Sequence, residues 1–184
     1  VKKLFLISII GLLFSCEKNE DIRKSELSVL TELVSQSGIS YAESIDNWSE
    51  LKTTNGNSYV YQTAFYSWIG EACITEITVS DGVVTSRVYE HFKTDESNGR
   101  GDLIEFYSET IADLGVHESG ALPKTIDELY SSCSNDYLTV DPNTNTIYFE
   151  TASNGLMTLC GFVPDGCQDD CFMGLRINNF EWIK

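Results

Sequence analysis

The chain is short of the residues that most nucleic-acid surfaces and many catalytic sites are built from. It holds 12 basic residues against 28 acidic ones, for a formal net charge of −16. A field of that sign repels phosphate backbones, which argues against nucleic acid as a partner, and equally against docking by charge on an anionic lipid surface. Histidine occurs twice, as His91 and His117, neither with a nucleophile or metal ligand at a familiar spacing. No G-x-S-x-G, H-E-x-x-H or P-loop is present, and no G-x-G-x-x-G stands between a strand and a helix. A glycosidase-type carboxylate pair survives that filter, because so many acids always offer some pair. Proline occurs only 3 times while aromatics make up 11% of residues, a balance that fits a strand-rich globular domain and excludes a disordered chain.

Long hydrophobic runs are also missing, with one short exception. Lys2 and Lys3 precede an apolar run from Leu4 to Phe14. As a helix it would rise roughly 16 Å, about half of a hydrocarbon core, so it is too short to span a membrane and the right length for a secretory leader. The run closes on Leu13-Phe14-Ser15-Cys16. This ending resembles the lipobox of bacterial lipoproteins, with Phe14 bulkier than is usual there. The resemblance implies cleavage before Cys16, a diacylglyceryl thioether on its sulfur and acylation of the new amino terminus, as with palmitate. Two or more acyl chains anchor stably where one binds only marginally. An ordinary signal peptide with a chance cysteine is the alternative. The following Glu17-Lys18-Asn19-Glu20-Asp21 resembles the acidic export tag of surface lipoproteins in the Bacteroidota; a generic solvated tether is the other reading. The expected organisation is a leader over 1–15, a tether over 16–22 and one domain over 23–184.

Beyond Cys16 there are five cysteines: Cys73, Cys133, Cys160, Cys167 and Cys171. In an exported protein an odd set of five predicts two disulfides and one free, buried thiol. Cys167 and Cys171 are close enough to pair within a loop. The second bridge is expected to join two of Cys73, Cys133 and Cys160, with connectivity open. A zinc site is the rival reading, but Cys160, Cys167 and Cys171 lack the C-x-x-C pairs of common zinc modules.

The periodicity predicts a helix over Arg23–Gln36, from Leu27, Leu30 and Val34, and a shorter one over Asn47–Thr53 that ends at Asn55-Gly56. Strands follow at Ser58–Ile69, Cys73–Ser80 and Val83–Phe92, the last two joined by Asp81-Gly82, a strong hairpin signal. Leu103–Leu114 fits helix and strand almost equally. Thr125 and Glu128 make a capping box at the start of a further helix. Strands are then expected at Tyr137–Val140, Thr146–Thr151, Leu156–Val163 and Gly174–Ile183. The sum is an α+β fold, an antiparallel meandering sheet with helices packed on one face. Three features carry a resemblance to small uncharacterised lipoproteins of the Bacteroidota: Asp81-Gly82 in its hairpin, Thr125–Tyr130, and Cys167-Gln168-Asp169-Asp170-Cys171 with the final strand. That resemblance implies a fold and a lipid-anchored outer-membrane address. It transfers no activity.

Four stretches are candidate sites. Asp165, Asp169 and Asp170 gather carboxylates in a loop that a disulfide would tighten, a possible calcium cluster, or simply an acidic cross-linked loop. Asp141, Asn143 and Asn145 are spaced like the start of an EF-hand, but Thr146 and Ala152 stand where glycine and glutamate belong. Arg100-Gly101-Asp102 spells an integrin tripeptide in a loop of ordinary composition. Tyr59, Tyr61, Phe65, Tyr66 and Trp68 offer a ligand platform for sugar stacking, or else core packing, the commoner use of strand aromatics. The function expected from all this is a membrane-anchored exported lipoprotein acting as a binding or structural module, with a surface glycan or envelope protein as partner. The alternative is a glycan-processing hydrolase with a carboxylate site.

Overall fold

The computed structural model describes residues 33–95 and 99–184. The leader, Cys16, the tether and most of the helix expected over Arg23–Gln36 lie outside the described residues. Its described end is not helical. Ser35 closes a turn instead, its N–H donating to Ile39 O at 2.9 Å and its carbonyl accepting Gly38 N–H at 2.9 Å. Val34 then forms an isolated bridge with Ser40.

Ser40 caps the first helix, α1 (Tyr41–Asn55), through a capping box with Glu43. The helix is longer than the expected Asn47–Thr53 because this Ser40-x-x-Glu43 box supplies an earlier start. Gly56 ends it as expected, at φ 91° with its N–H bonded to Lys52 O. The meander follows: β1 (Tyr59–Ser67), β2 (Glu71–Ser80), β3 (Val83–Lys93) and β4 (Leu103–Thr110). Asp81 and Gly82 both have positive φ, 50° and 81°. That pair of left-handed residues gives the type I′ turn whose twist matches the flanking strands. The ambiguous segment after Asp102 resolves as β4, and Asp113 Oδ1 ends it by accepting the Thr110 N–H at 2.6 Å.

Helix α2 (Ile126–Ser132) starts at the Thr125–Glu128 box, as the sequence predicts. The strand expected at Tyr137–Val140 does not form. The chain stays helical through a π turn, Cys133–Tyr137, because Cys133 is bridged to Cys160 and Leu138 is buried beside it. Packing overrides the local strand preference here. β5 (Asn145–Thr151), β6 (Met157–Pro164), β7 (Met173–Arg176) and β8 (Asn179–Trp182) complete the chain. The single terminal strand expected over Gly174–Ile183 is therefore two strands, in different sheets. The first sheet runs β4-β3-β2-β1-β8 and the second β5-β6-β7, all pairs antiparallel. The switch falls at Ile177–Asn178, where Ile177 N–H still bonds Thr158 O of β6 and Asn178 N–H already bonds Gln62 O of β1, both at 2.8 Å.

Both helices lie on one face of the five-stranded sheet. Tyr59, Tyr61, Ile77 and Val79 point from that face into a core shared with Trp48 of α1, Ile126 and Leu129 of α2, and Phe149, Met157 and Cys160 of the second sheet. Trp48 stacks on Trp182 and meets Tyr59 edge-on. Tyrosine hydroxyls tie the helices down: Tyr59 Oη accepts Ile126 N–H at 2.9 Å, and Tyr41 Oη donates to Tyr130 O at 2.8 Å. Burial pushes the Tyr59 hydroxyl up to about 12, so it stays protonated. No helix among the described residues is long and apolar enough to cross a membrane.

Farther along the same face, Arg87 and Glu109 are both fully buried. Arg87 Nε and Nη2 each donate to one Glu109 carboxylate oxygen at 2.8 Å. The remaining valences fold residues 111–121 over the sheet. Glu109 accepts the N–H groups of Gly115 at 2.7 Å and His117 at 2.8 Å, while Arg87 donates to His117 O at 2.7 Å and Ala121 O at 3.0 Å. His117 Nδ1, 2.9 Å from the same carboxylate, must carry its proton, since the carboxylate can only accept. Burial alone would raise the Glu109 carboxyl, but the hydrogen bonds from Arg87, His117 and Gly115 outweigh it and hold it down at about 2.

A group held below its ordinary 4.5 contributes stability that is complete above that pH and is lost as the pH falls towards 2. Glu109→Gln is expected to cost about 3–5 kcal/mol at neutral pH, because it leaves Arg87 buried and unpaired. The gap between wild type and variant in urea unfolding should then close as the pH drops from 4.5 to 2. A gap constant over that range would show that the ion pair does not control acid stability.

Candidate functional site

Strand β1 runs out from under the helices. Its first half is core: Tyr59 and Tyr61 are 0% and 1% exposed. These two rings therefore cannot belong to a solvent-facing platform, because α1 and α2 sit on them. The other three, Phe65, Tyr66 and Trp68, are 54%, 62% and 85% exposed. Phe65 and Tyr66 are successive strand residues and point to opposite faces of the sheet, so the five rings form no common stacking plane.

Beside the outer half of β1 lies a cleft of about 620 Å³. Thr63–Tyr66 make one wall and Gly174–Arg176 of β7 another, with Lys124 and Ser132 from the α2 region and Asp170 and Phe172 from the disulfide loop closing the ends. The walls are held in place from several directions. Tyr61 Oη donates to Lys124 O at 2.6 Å. Lys124 Nζ donates to Ser132 Oγ at 2.7 Å. Asn178 Oδ1 accepts Ala64 N–H at 2.7 Å. The Phe172 ring lies over Gly161 and Gly174, which face each other across β6 and β7; a Cβ on either would come within 2.8 Å of its Cζ. The Arg176 guanidinium sits 5.5 Å from the centre of the same ring.

Residues next in sequence to the disulfides, Ser132, Asp170 and Phe172, line this cleft, and the pairing answers what the cysteine count left open. Cys133–Cys160 ties the end of α2 to β6, and Cys167–Cys171 closes the loop that carries Asp170. Cys73 is the free thiol among the described residues, half-buried where full burial was expected, with Tyr89 Oη donating to its sulfur at 3.2 Å.

The other candidates do not converge here. Of the three loop aspartates only Asp170 lines the cleft. Asp165 closes a turn, its N–H donating to Thr144 O at 2.9 Å. No group of three or more histidine, cysteine, aspartate or glutamate side chains that could hold a metal is found among the described residues. Asp141 Oδ1 accepts the backbone and side-chain N–H groups of Asn143, both at 2.9 Å, which makes the EF-hand-like stretch a turn. Arg100 of the integrin-like tripeptide pairs with Glu90 and lies over Phe92. His91 Nε2 is 2.9 Å from Glu71 Oε2 on the sheet, and His117 serves Glu109.

Lys124, Ser132, Phe172, Arg176 and Asn178 were not singled out by sequence reasoning. They come from separate segments: Lys124 and Ser132 reach the cleft through Tyr61, while Arg176 and Asn178 are brought there around the strand switch at Ile177–Asn178. One signal was available: basic residues are so rare here that each one without an acidic neighbour in sequence is a candidate. No protein-family model, curated protein or solved structure matches the chain.

Alkylation of the unfolded but unreduced protein should label Cys73 and neither disulfide pair. Replacing Cys133 and Cys160 with alanine removes a cross-link of 27 residues' separation and is expected to cost about 3–4 kcal/mol of stability in chemical denaturation. Replacing Cys167 and Cys171, only 4 residues apart, should cost about 2 kcal/mol. Equal losses for the two pairs would contradict the loop-closure account.

Proposed function

We propose that this chain is an exported lipoprotein, anchored in the outer membrane through Cys16, that works as a binding module with the cleft between its two sheets as the ligand site. The leader, the lipobox-like ending and the acidic stretch behind it support the address. The cleft carries the binding reading. It is concave, its walls mix aromatic rings with a few positioned polar groups, and it sits where two sheets meet, which is the common composition and placement of ligand pockets. The hydrolase reading is less well served. Glycoside hydrolysis uses two carboxyl groups flanking the bond, and among the described acidic residues Asp170 alone lines the cleft.

Intact mass and membrane partition test the anchor. Wild type expressed in a host with an outer membrane should carry acyl mass and sediment with membrane, and Cys16→Ala should lose both; release of unmodified wild type would refute the address. Photo-crosslinking in intact cells tests the binding role. A crosslinking side chain in place of Tyr137, on the cleft wall, should give a discrete adduct, and one in place of exposed Thr54 of α1 should not. Matching results at both positions would remove the cleft as the ligand site.

A further inference from the structure

The cleft wall formed by β1 contains four consecutive residues, Thr63, Ala64, Phe65 and Tyr66. Side chains on a strand alternate between faces, so four in a row line one space only if the strand turns its edge to it. That edge is unpaired. β8 pairs with β1 only from Tyr59 to Gln62 and then leaves for the other sheet. The bonds already made on this side fix the parity: Gln62 O accepts Asn178 N–H, and Ala64 N–H donates to Asn178 Oδ1. The next groups of the same parity, Ala64 C=O and Tyr66 N–H, face the cleft, and the Tyr66 N–H has no partner among the described residues. Across the cleft stands β7, the edge strand of the second sheet.

We infer that the cleft receives an extended, acidic peptide segment of a partner protein, which adds to the open edge of β1 as a further strand. This rests on the cleft being the ligand site. Main-chain pairing to an open edge supplies affinity and the flanking pockets supply selectivity. The charge preference comes from Lys124 and Arg176. Both line the cleft, and in a chain of net charge −16 neither is paired with a carboxylate among the described residues. Lys124 is half-buried with one hydroxyl partner, so its ammonium has donors to spare. Asp170 is the single opposing charge on the lining. The long-range repulsion of the acidic surface is screened beyond about 8 Å at physiological salt, whereas contacts inside the cleft are not. A saccharide fits less well, because Phe65 and Tyr66 point to opposite faces and the edge offers backbone groups where a sugar site would offer a flat ring stack.

The test is selection of a displayed library of random dodecapeptides on the full-length protein at physiological salt, with an oligosaccharide array run in parallel. Enriched peptides should alternate apolar and other residues and carry aspartate or glutamate. Tyr66→Pro should weaken them about tenfold, as expected for a lost main-chain hydrogen bond. Tyr66→Ala, which keeps the N–H, should weaken them less. Proline is tolerated on an edge whose N–H faces outward, so circular dichroism of this variant should match wild type. Lys124→Ala with Arg176→Ala should abolish the preference for acidic sequences. The inference fails if no peptide is enriched, if Tyr66→Pro and Tyr66→Ala act alike, or if neutral sequences win. Binding confined to the oligosaccharide array, and lost on Phe172→Ala, would overturn the peptide while leaving the cleft as the ligand site. Peptide binding that appears only after residues 17–32 are deleted would assign the edge to the chain's own segment and also overturn a partner.

Discussion

The Arg87–Glu109 pair holds together what no hydrophobic contact would. Two charges buried to 0% exposure are costly unless every donor and acceptor finds a partner, and here the backbone of residues 115–121 provides the missing ones. The pair therefore acts as a clamp on a loop that contributes little apolar surface of its own. The loop is pressed flat enough that Ala121 N–H reaches Thr75 Oγ1 at 3.0 Å and His117 stacks on Tyr107 at 4.1 Å. Its path ends at Lys124 and Thr125, so the same clamp leads into the α2 cap and into Lys124 at one end of the cleft.

The rest of the cleft depends on how the chain divides its strands. β8 completes the first sheet beside β1 for four residues only, and β7 belongs to the second sheet. The two edges left open face a common space because the aromatic core under Trp48, Tyr59 and Trp182 joins the sheets at one end and not at the other. Covalent links reinforce that geometry. Cys133–Cys160 fixes α2 to β6, and Cys167–Cys171 fixes the loop that carries Asp170 and leads into Phe172.

Local signals in the sequence proved reliable where the interaction itself is local. The Asp81-Gly82 turn and the Thr125–Glu128 box both stand where they were expected, because each depends on the φ preferences and side-chain reach of a few neighbouring residues. The α1 start was missed although its box, Ser40 and Glu43, was equally legible. Where long-range contacts compete, local reading failed. Tyr137 and Leu138 have strand propensity, yet the disulfide at Cys133 and the burial of Leu138 hold them in a helical turn. The stretch Gly174–Ile183 reads as one strand because nothing local marks a change of sheet at Ile177–Asn178.

What the sequence determined by itself is the class of fold, the number of disulfides with Cys167 and Cys171 as one pair, and a net charge of −16. These follow from periodicity, count and composition, which need no partner across the chain. Only the tertiary structure decided that Tyr59 and Tyr61 are core while Tyr66 and Trp68 meet solvent, that Arg87 and Glu109 pair across 22 positions, and that Lys124 and Arg176 share a cleft. Each of these depends on which strand lies beside which. Register and sheet membership are set by packing between distant segments, and no local property of a residue encodes its neighbour across a sheet.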